Sequence, residues 1–204
     1  MGWYARYVLP KLLASAMRQK DLVPFRSRIG RAATGRVLEL GIGPALNLPF
    51  YGPDVTAVIG IEPSRAFLDM AAEGARGAAF PCRLLAARGD ALPIDSGSID
   101  TVVTTWTLCT VPDAAAVLAE VRRVLRPGGK LLFAEHGRSP EPSVRRWQDR
   151  LNPVWLHLAG GCNINRPMPA LIEQAGFSVS DLSTGYVGRP KVATFMFSGV
   201  GTPR

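Results

Sequence analysis

Cysteine is scarce in this chain, with three in 204 residues at positions 82, 109 and 162. They form no CxxC pair, and their spacing suggests no Cys/His cluster, so no metal is expected. An odd, widely spaced set also argues against a disulfide framework and for a reducing cytosol. Histidine is rarer still: only His136 and His157 occur. Long apolar runs are missing, and no stretch reaches the ~18 residues of a membrane span. The start lacks the apolar block and cleavage site of a signal peptide, which predicts a cytoplasmic protein. Acidic residues are nearly absent from the first 36 positions. Eight Lys/Arg (Arg6, Lys11, Arg18, Lys20, Arg26, Arg28, Arg31 and Arg36) stand there against Asp21 alone, so most of the net charge of +8 is local. A basic groove running over the whole fold, as nucleic-acid enzymes often carry, is not indicated.

What is present is an ordinary globular composition, 47% hydrophobic and 20% charged, at a length that fits one domain. Residues 1–35 read as a basic helical arm. Leu9, Leu12, Leu13, Ala16 and Met17 recur with the helical period, and Pro10 sits where a first turn tolerates it. Trp3, Tyr4 and Tyr7 precede them. Two roles follow: a helix packed over the body, or peripheral contact of residues 1–36 with an anionic membrane surface.

Strands and helices alternate from residue 36 to 204. Strands are expected at Arg36–Leu40, Val55–Ile61, Arg83–Ala87, Ile99–Thr107 and Lys130–Glu135. Helices are expected at Ser64–Arg76, with Ser64 as N-cap, at Asp113–Leu125 and at Pro167–Ala175. Phe177–Leu182 and Val192–Ser198, split by the loop Ser183–Lys191, leave no room for a crossover helix and should form an antiparallel hairpin. The fold class is therefore α/β: a Rossmann-like, seven-stranded, mostly parallel sheet with helices on both faces. Residues 138–167 read as a partly apolar cap suited to a small organic substrate.

The strongest local signal is Val37-Leu38-Glu39-Leu40-Gly41-Ile42-Gly43-Pro44-Ala45, a buried strand running into glycines spaced by two. Glycine there permits a tight turn and close approach of a ligand. Glu62 ends the second strand 21 residues after Gly41, where a carboxylate can accept from ribose hydroxyls. Asp90, in Gly89-Asp90-Ala91-Leu92-Pro93, can accept from an adenine amino group. Strand four ends in Thr104-Thr105-Trp106-Thr107-Leu108-Cys109. In an open α/β sheet all four segments meet at the carboxyl edge and can surround one nucleoside. A dinucleotide fingerprint would need glycine at 46, which is Leu46.

The series LELGIGPA, IGIEPS, GDALP, SIDTVVTTWTLCTVPD and VRRVLRPGGKLLFAEH resembles class I S-adenosylmethionine (SAM)-dependent methyltransferases over residues 36–136. More closely, the chain resembles small bacterial methyltransferases and the methyltransferase-like 7 group of thiol methyltransferases. LELG, LCTV, EVRRVLRPGG, Glu135-His136, and Gly161-Cys162 followed by Arg166 carry that likeness. The short basic arm stands where the animal members have a membrane-inserting N-terminus. The resemblance implies SAM as cofactor and S-adenosylhomocysteine as product. It implies Glu39, Gly41 and Gly43 on the methionine side, Glu62 on the ribose, and Asp90 and the Ala91 N–H at the adenine. Trp106 and Thr107 would lie beside the reactive end. The family's third glycine is Ala45 here, tolerable if that residue is helical.

The expected reaction is methyl transfer to a small-molecule acceptor, a thiol or a lipid amine head group. A non-catalytic SAM-binding module and a nucleic-acid methyltransferase using the basic arm are the alternatives. No Asn/Asp-Pro-Pro-Tyr/Phe run follows strand four, no carboxylate pair with Asn marks a magnesium-dependent catechol site, and no extra recognition domain is visible. His136, at the end of strand five, is the first candidate base or polar contact; a hydrogen-bonded shell residue is the alternative. His157 in the cap is the second candidate, against a core or surface histidine. Cys109 and Cys162 read as buried small apolar groups. A monomer is the expected state.

Overall fold

The computed structural model of the protein describes residues 9–204. Trp3, Tyr4 and Tyr7 lie outside the described residues. The arm contributes helix α1 (Leu9–Ala16) and helix α2 (Val23–Ala32). The face of α1 that packs differs from the expected one. Pro10 and Ala14 are buried and Leu13 and Met17 partly so, whereas Leu12 is 54% exposed. The apolar stripe is therefore rotated, and Leu12 is left facing outward.

Seven strands form one sheet: β1 (Gly35–Leu40), β2 (Val55–Ile61), β3 (Cys82–Leu85), β4 (Ile99–Thr105), β5 (Leu125–His136), β6 (Phe177–Tyr186) and β7 (Phe195–Pro203). The order is β3-β2-β1-β4-β5-β7-β6. Strands β1 to β5 pair in parallel, and β7 runs antiparallel to both β5 and β6. The central strands are buried on both faces because helices cover both, which is why they read as continuous apolar runs. Alternation still sorts them. Leu38, Val102, Leu131 and Phe133 pack on one side with α4 (Ala114–Val124), and Val37, Val103, Leu132 and Ala134 pack on the other with Ile29 and Ala33.

Several boundaries move for identifiable reasons. Strand β5 begins at Leu125 rather than Lys130, because Leu125 pairs with Ile99 before Pro127-Gly128 and a register shift carry the chain onward. Strand β6 extends to Tyr186, through a bulge between Ser180 and Ser183 where Asp181 adopts φ +49°. Helix α3 (Arg65–Ala75) follows β2, but Ser64 makes no side-chain cap. The Ser64 N–H instead donates to Glu62 Oε1 at 2.9 Å.

Residues 138–167, expected as a cap, comprise helix α5 (Pro142–Leu158) and the loop that leads to helix α6 (Met168–Gln174). Two buried amides clip this segment to the sheet. Gln148 accepts from Ser139 N (2.9 Å) and donates to the carbonyls of Gly137 (3.1 Å) and Ile164 (2.7 Å). Asn152 accepts from Ile164 N at 3.0 Å. These bonds hold the 159–166 loop against the carboxyl end of β5.

Candidate functional site

The carboxyl ends of β1, β2 and β4 are knitted together by backbone and side-chain bonds. Gly41 N and Ile42 N both donate to Ile61 O, at 2.8 and 3.1 Å. Gly43 N donates to Glu62 Oε2 at 3.2 Å, so the glycine turn closes on the acid. The Thr107 hydroxyl donates to Leu40 O at 2.9 Å. Gly41 has φ +63°, and a Cβ there would meet Thr107 Oγ1 at 2.4 Å, so only glycine fits. Above Gly43 the space is open, since a Cβ would find only Gly41 O, at 3.9 Å.

Ala45 does not meet the condition set for tolerating its methyl, that the residue be helical. It adopts φ +60°, the left-handed region, and is 3% exposed. Its methyl is accommodated because α3 presents Gly74, whose own Cβ would lie 3.2 Å from it.

Glu39 lies behind the turn, 1% exposed. Asn47 Nδ2 donates to its Oε1 and Tyr51 O–H to its Oε2, each at 2.7 Å. Burial pushes its carboxyl up to about 7, against the opposing pull of those two bonds and of Arg26. Asn47 Oδ1 in turn accepts from Arg26 Nη1 at 2.7 Å. Arg26 also donates to Met17 O (3.1 Å) and lies 4.8 Å from the Trp106 ring centroid. This arginine, counted among the basic residues of the arm, is 6% exposed and ties the arm to the site. Burial lowers its pKa while Glu39 pulls it back.

Glu62 is 7% exposed, and burial raises its carboxyl against the Ser64 and Gly43 N–H bonds. Those two bonds leave part of its acceptor capacity unused, since a carboxylate offers about four lone-pair sites. Asp90 lies on the loop after β3, paired with Arg88 at 2.5 and 2.9 Å, and that bond holds its carboxyl below the usual range. The Ala91 N–H closes a long 3.4 Å turn bond to Arg88 O. The loop is clamped from below by a pair that sequence reading missed. Glu120 accepts from Leu92 N (2.8 Å) and from Arg123 Nε (2.6 Å), while Arg123 donates to the carbonyls of Leu92 (3.0 Å) and Ile94 (2.8 Å).

Trp106 and Thr107 follow β4. Trp106 adopts φ +54°, and its buried Nε1 has no hydrogen-bond partner among the described residues. Glu135, fully buried, accepts three consecutive backbone N–H groups: Thr107 (3.1 Å) and Leu108 (3.0 Å) on Oε1, and Cys109 (3.1 Å) on Oε2. Burial pushes its carboxyl up and the three N–H groups pull it back. This carboxylate sets the shape of the 106–109 loop. Its position in the Glu135-His136 pair was visible; its partners, 26–28 residues away, were not.

The two histidines part company. His136, half-buried at the end of β5, lies with Nδ1 3.6 Å from Cys162 Sγ, and Cys162 Sγ lies 3.7 Å from Cys109 Sγ. The expectation that cysteine spacing held no Cys/His cluster is thus corrected: the fold gathers three ligand-type atoms within 4.8 Å of one another. His157 is exposed near the end of α5, its Nδ1 2.8 Å from Pro153 O. Among the described residues it shares no hydrogen bond with any other candidate. An open depression lined by Glu173, Phe177 and Arg204 lies at the opposite, amino-terminal edge of the sheet and takes no part in this arrangement.

Residues 38–133 match a family model described as a methyltransferase domain. A human thiol S-methyltransferase, TMT1B, is 38% identical over 152 residues, spanning 72% of this chain and 62% of that protein. A phosphatidylethanolamine N-methyltransferase of Cereibacter sphaeroides is 36% identical over 107 residues, 52% of each chain. The chain spans 59–62% of the length of the thiol S-methyltransferases it matches. Among solved structures, a SAM-dependent methyltransferase from Thermotoga maritima superposes with a TM-score of 0.69 at 21% identity, covering 98% of both chains. The [4+2]-cyclase SpnF superposes with a TM-score of 0.68 at 18% identity, covering 90% of this chain and 80% of its own. Likeness of fold therefore does not by itself choose a reaction.

Proposed function

Residues 38–133 carry a methyltransferase domain of the Rossmann-like class, and from that premise we propose that the protein transfers a methyl group from SAM to a small-molecule acceptor, a thiol before a lipid amine. The observation that carries this reading is the turn at Gly41–Gly43 closed onto Glu62. It leaves an open backbone cradle beside a buried carboxylate with acceptor capacity to spare. That pairing suits a ligand bearing a ribose diol. When bound, SAM supplies a methyl group on a sulfonium, already activated for displacement.

The chain's residues then have divided tasks. Glu62 holds the ribose hydroxyls and Asp90 the adenine amino group, with the Ala91 N–H beside it. The 41–43 turn receives the methionine portion, and Trp106 and Thr107 wall the reactive end. Glu39 works from behind the turn, holding Asn47 and Tyr51 rather than touching the ligand. Catalysis by such a site is mainly alignment and exclusion of water. A base is needed only for an acceptor protonated at working pH, and His136 is the residue in reach. His157, exposed and bonded to its own helix, has the weaker claim.

A lipid surface is the second partner in this proposal, with a cytoplasmic location at a membrane face. No helix among the described residues is long and apolar enough to cross a membrane. However, Trp147, Leu151, Val154 and Leu158 recur on one face of α5 at 40–68% exposure. Exposed Arg146 and Arg150 flank them, and Arg150 lies over the Trp147 ring at 5.6 Å. An exposed apolar stripe beside cations suits an anionic bilayer surface.

Calorimetry with SAM, followed by a screen of thiols, phosphatidylethanolamine and phenols for S-adenosylhomocysteine release, tests the reading. Glu62→Ala should weaken SAM binding by about 1.5–3 kcal/mol, the value of hydrogen bonds to a charged group. Unchanged affinity would remove Glu62 from the site. SAM binding without turnover on any acceptor would favour a binding module.

A further inference from the structure

Cys109, His136 and Cys162 come from three separate segments: the loop after β4, the last residue of β5 and the loop after α5. We infer that they form a binding site for a thiophilic divalent ion of the zinc type, with three protein ligands and a fourth position open to the acceptor. The distances carry the argument. Tetrahedral zinc with bonds of about 2.3 Å to sulfur and about 2.05 Å to nitrogen sets an S···S edge of about 3.8 Å and an S···N edge of about 3.6 Å. The observed edges are 3.7 Å between the two sulfurs and 3.6 Å between Cys162 Sγ and His136 Nδ1. The third pair closes within the same 4.8 Å group.

The charge balance fits a buried position. Cys109 is fully buried and Cys162 is 7% exposed. Two thiolates cancel a dication, so the occupied site adds no net charge to the interior. The ligands are also held in place by their surroundings. Glu135 accepts the Cys109 N–H, the Asn163 N–H bonds Cys109 O at 2.7 Å, and Arg166 donates to Leu108 O. Glu135 itself is not a fourth ligand: its oxygens are not among the grouped ligand atoms, and they accept three backbone N–H groups. Among the described residues the cluster holds three ligands and no more. Three protein ligands with one vertex free are the pattern of a reactive rather than a structural site.

The site sits at the carboxyl ends of β4 and β5, the edge that holds Trp106 and Thr107. Resting on the methyltransferase reading above, the free vertex takes an acceptor thiol. The thiol's S–H bond breaks, its proton passes to solvent, and its sulfur binds the ion as thiolate. Coordination then does the work otherwise left to a base, since a metal-bound thiol is deprotonated outright. With the ion bound, His136 serves as a ligand in place of the base role given to it above, and does not accept the proton.

Cobalt(II) added to the reduced, full-length protein tests this without reference to turnover. Stoichiometric binding with sulfur-to-cobalt charge-transfer absorption and intense tetrahedral d–d bands is expected. Cys109→Ser, Cys162→Ser and His136→Ala should each weaken binding at least tenfold, whereas Cys82→Ser leaves it unchanged. Should a cysteine variant fail to fold, the half-buried His136→Ala gives the same reading. Absence of the charge-transfer band, or equal binding by the Cys109→Ser/Cys162→Ser protein, overturns the site. Thiophenol should then shift the cobalt bands and phenol should not; bands indifferent to thiophenol overturn the acceptor's place while leaving the ion in its own. SAM calorimetry on the same samples reports on the methyltransferase reading separately.

Discussion

Replacing Glu135 tests how the 106–109 loop is held. Its carboxylate accepts three successive backbone N–H groups at 3.0–3.1 Å in a fully buried setting. In Glu135→Gln the amide oxygen keeps Thr107 and Leu108, but the amide nitrogen faces the Cys109 N–H, donor against donor. One buried N–H loses its partner, at about 1–3 kcal/mol, and two others lose a charged acceptor. Against this, a neutral amide is cheaper to bury than a carboxylate, as the upward shift of the Glu135 carboxyl indicates. The net expectation is about 2 kcal/mol, or a Tm lower by roughly 4–8 °C for a chain of this size. Glu135→Ala strands all three N–H groups and should cost about 4 kcal/mol or more. Thermal and urea unfolding at pH 7 measure both, and hydrogen exchange at Thr107–Cys109 locates the loss. If both variants stay within about 0.5 kcal/mol of the parent, or exchange at those three amides is unchanged, the loop is held by something else.

Three other perturbations probe separate parts of the molecule. Glu39 is raised from 4.5 to about 7 in the fold. Its contribution is therefore fully present below about pH 4.5 and is lost as pH rises toward 7, by about 3 kcal/mol in all. Unfolding free energies of the parent and Glu39→Gln should diverge across that window, with the parent losing ground as pH rises; parallel curves would contradict a protonated, buried Glu39. Gly41→Ala places a methyl 2.4 Å from Thr107 Oγ1 at φ +63°. It should cost about 2–3 kcal/mol, from the left-handed penalty and the strained Thr107–Leu40 bond, and weaken SAM binding in calorimetry. A silent substitution would mean the turn is looser than described. Trp147→Glu/Leu158→Glu should abolish cosedimentation with anionic vesicles at low salt. Retained binding would move the lipid contact elsewhere, and loss of a dimer in sedimentation would reassign the stripe to a second copy.

The periodic elements were legible because their causes are local. Val37–Leu40 and Ile99–Thr105 read as buried strands from apolar, β-branched runs, and the closing hairpin followed from the absence of a crossover segment. Gly41 and Glu62 stood out because a tight turn and an acid at a strand end leave a residue-type signature. Boundaries slipped where partners decide them. Strand β5 gained Leu125 only through Ile99, and Ala45 turned left-handed where Gly74 left room for its methyl.

The amino-acid sequence on its own therefore determined the alternation of strands and helices, the glycine turn and the acid beside it, since each rests on chemistry within a few residues. Only the tertiary structure decided what the lone polar groups do. Arg26 is buried against Asn47, Glu135 reached back 26–28 residues for three N–H groups, and Cys109, His136 and Cys162 met at one point. A buried polar atom must find a partner wherever the packed chain brings one, and sequence distance carries no record of that meeting.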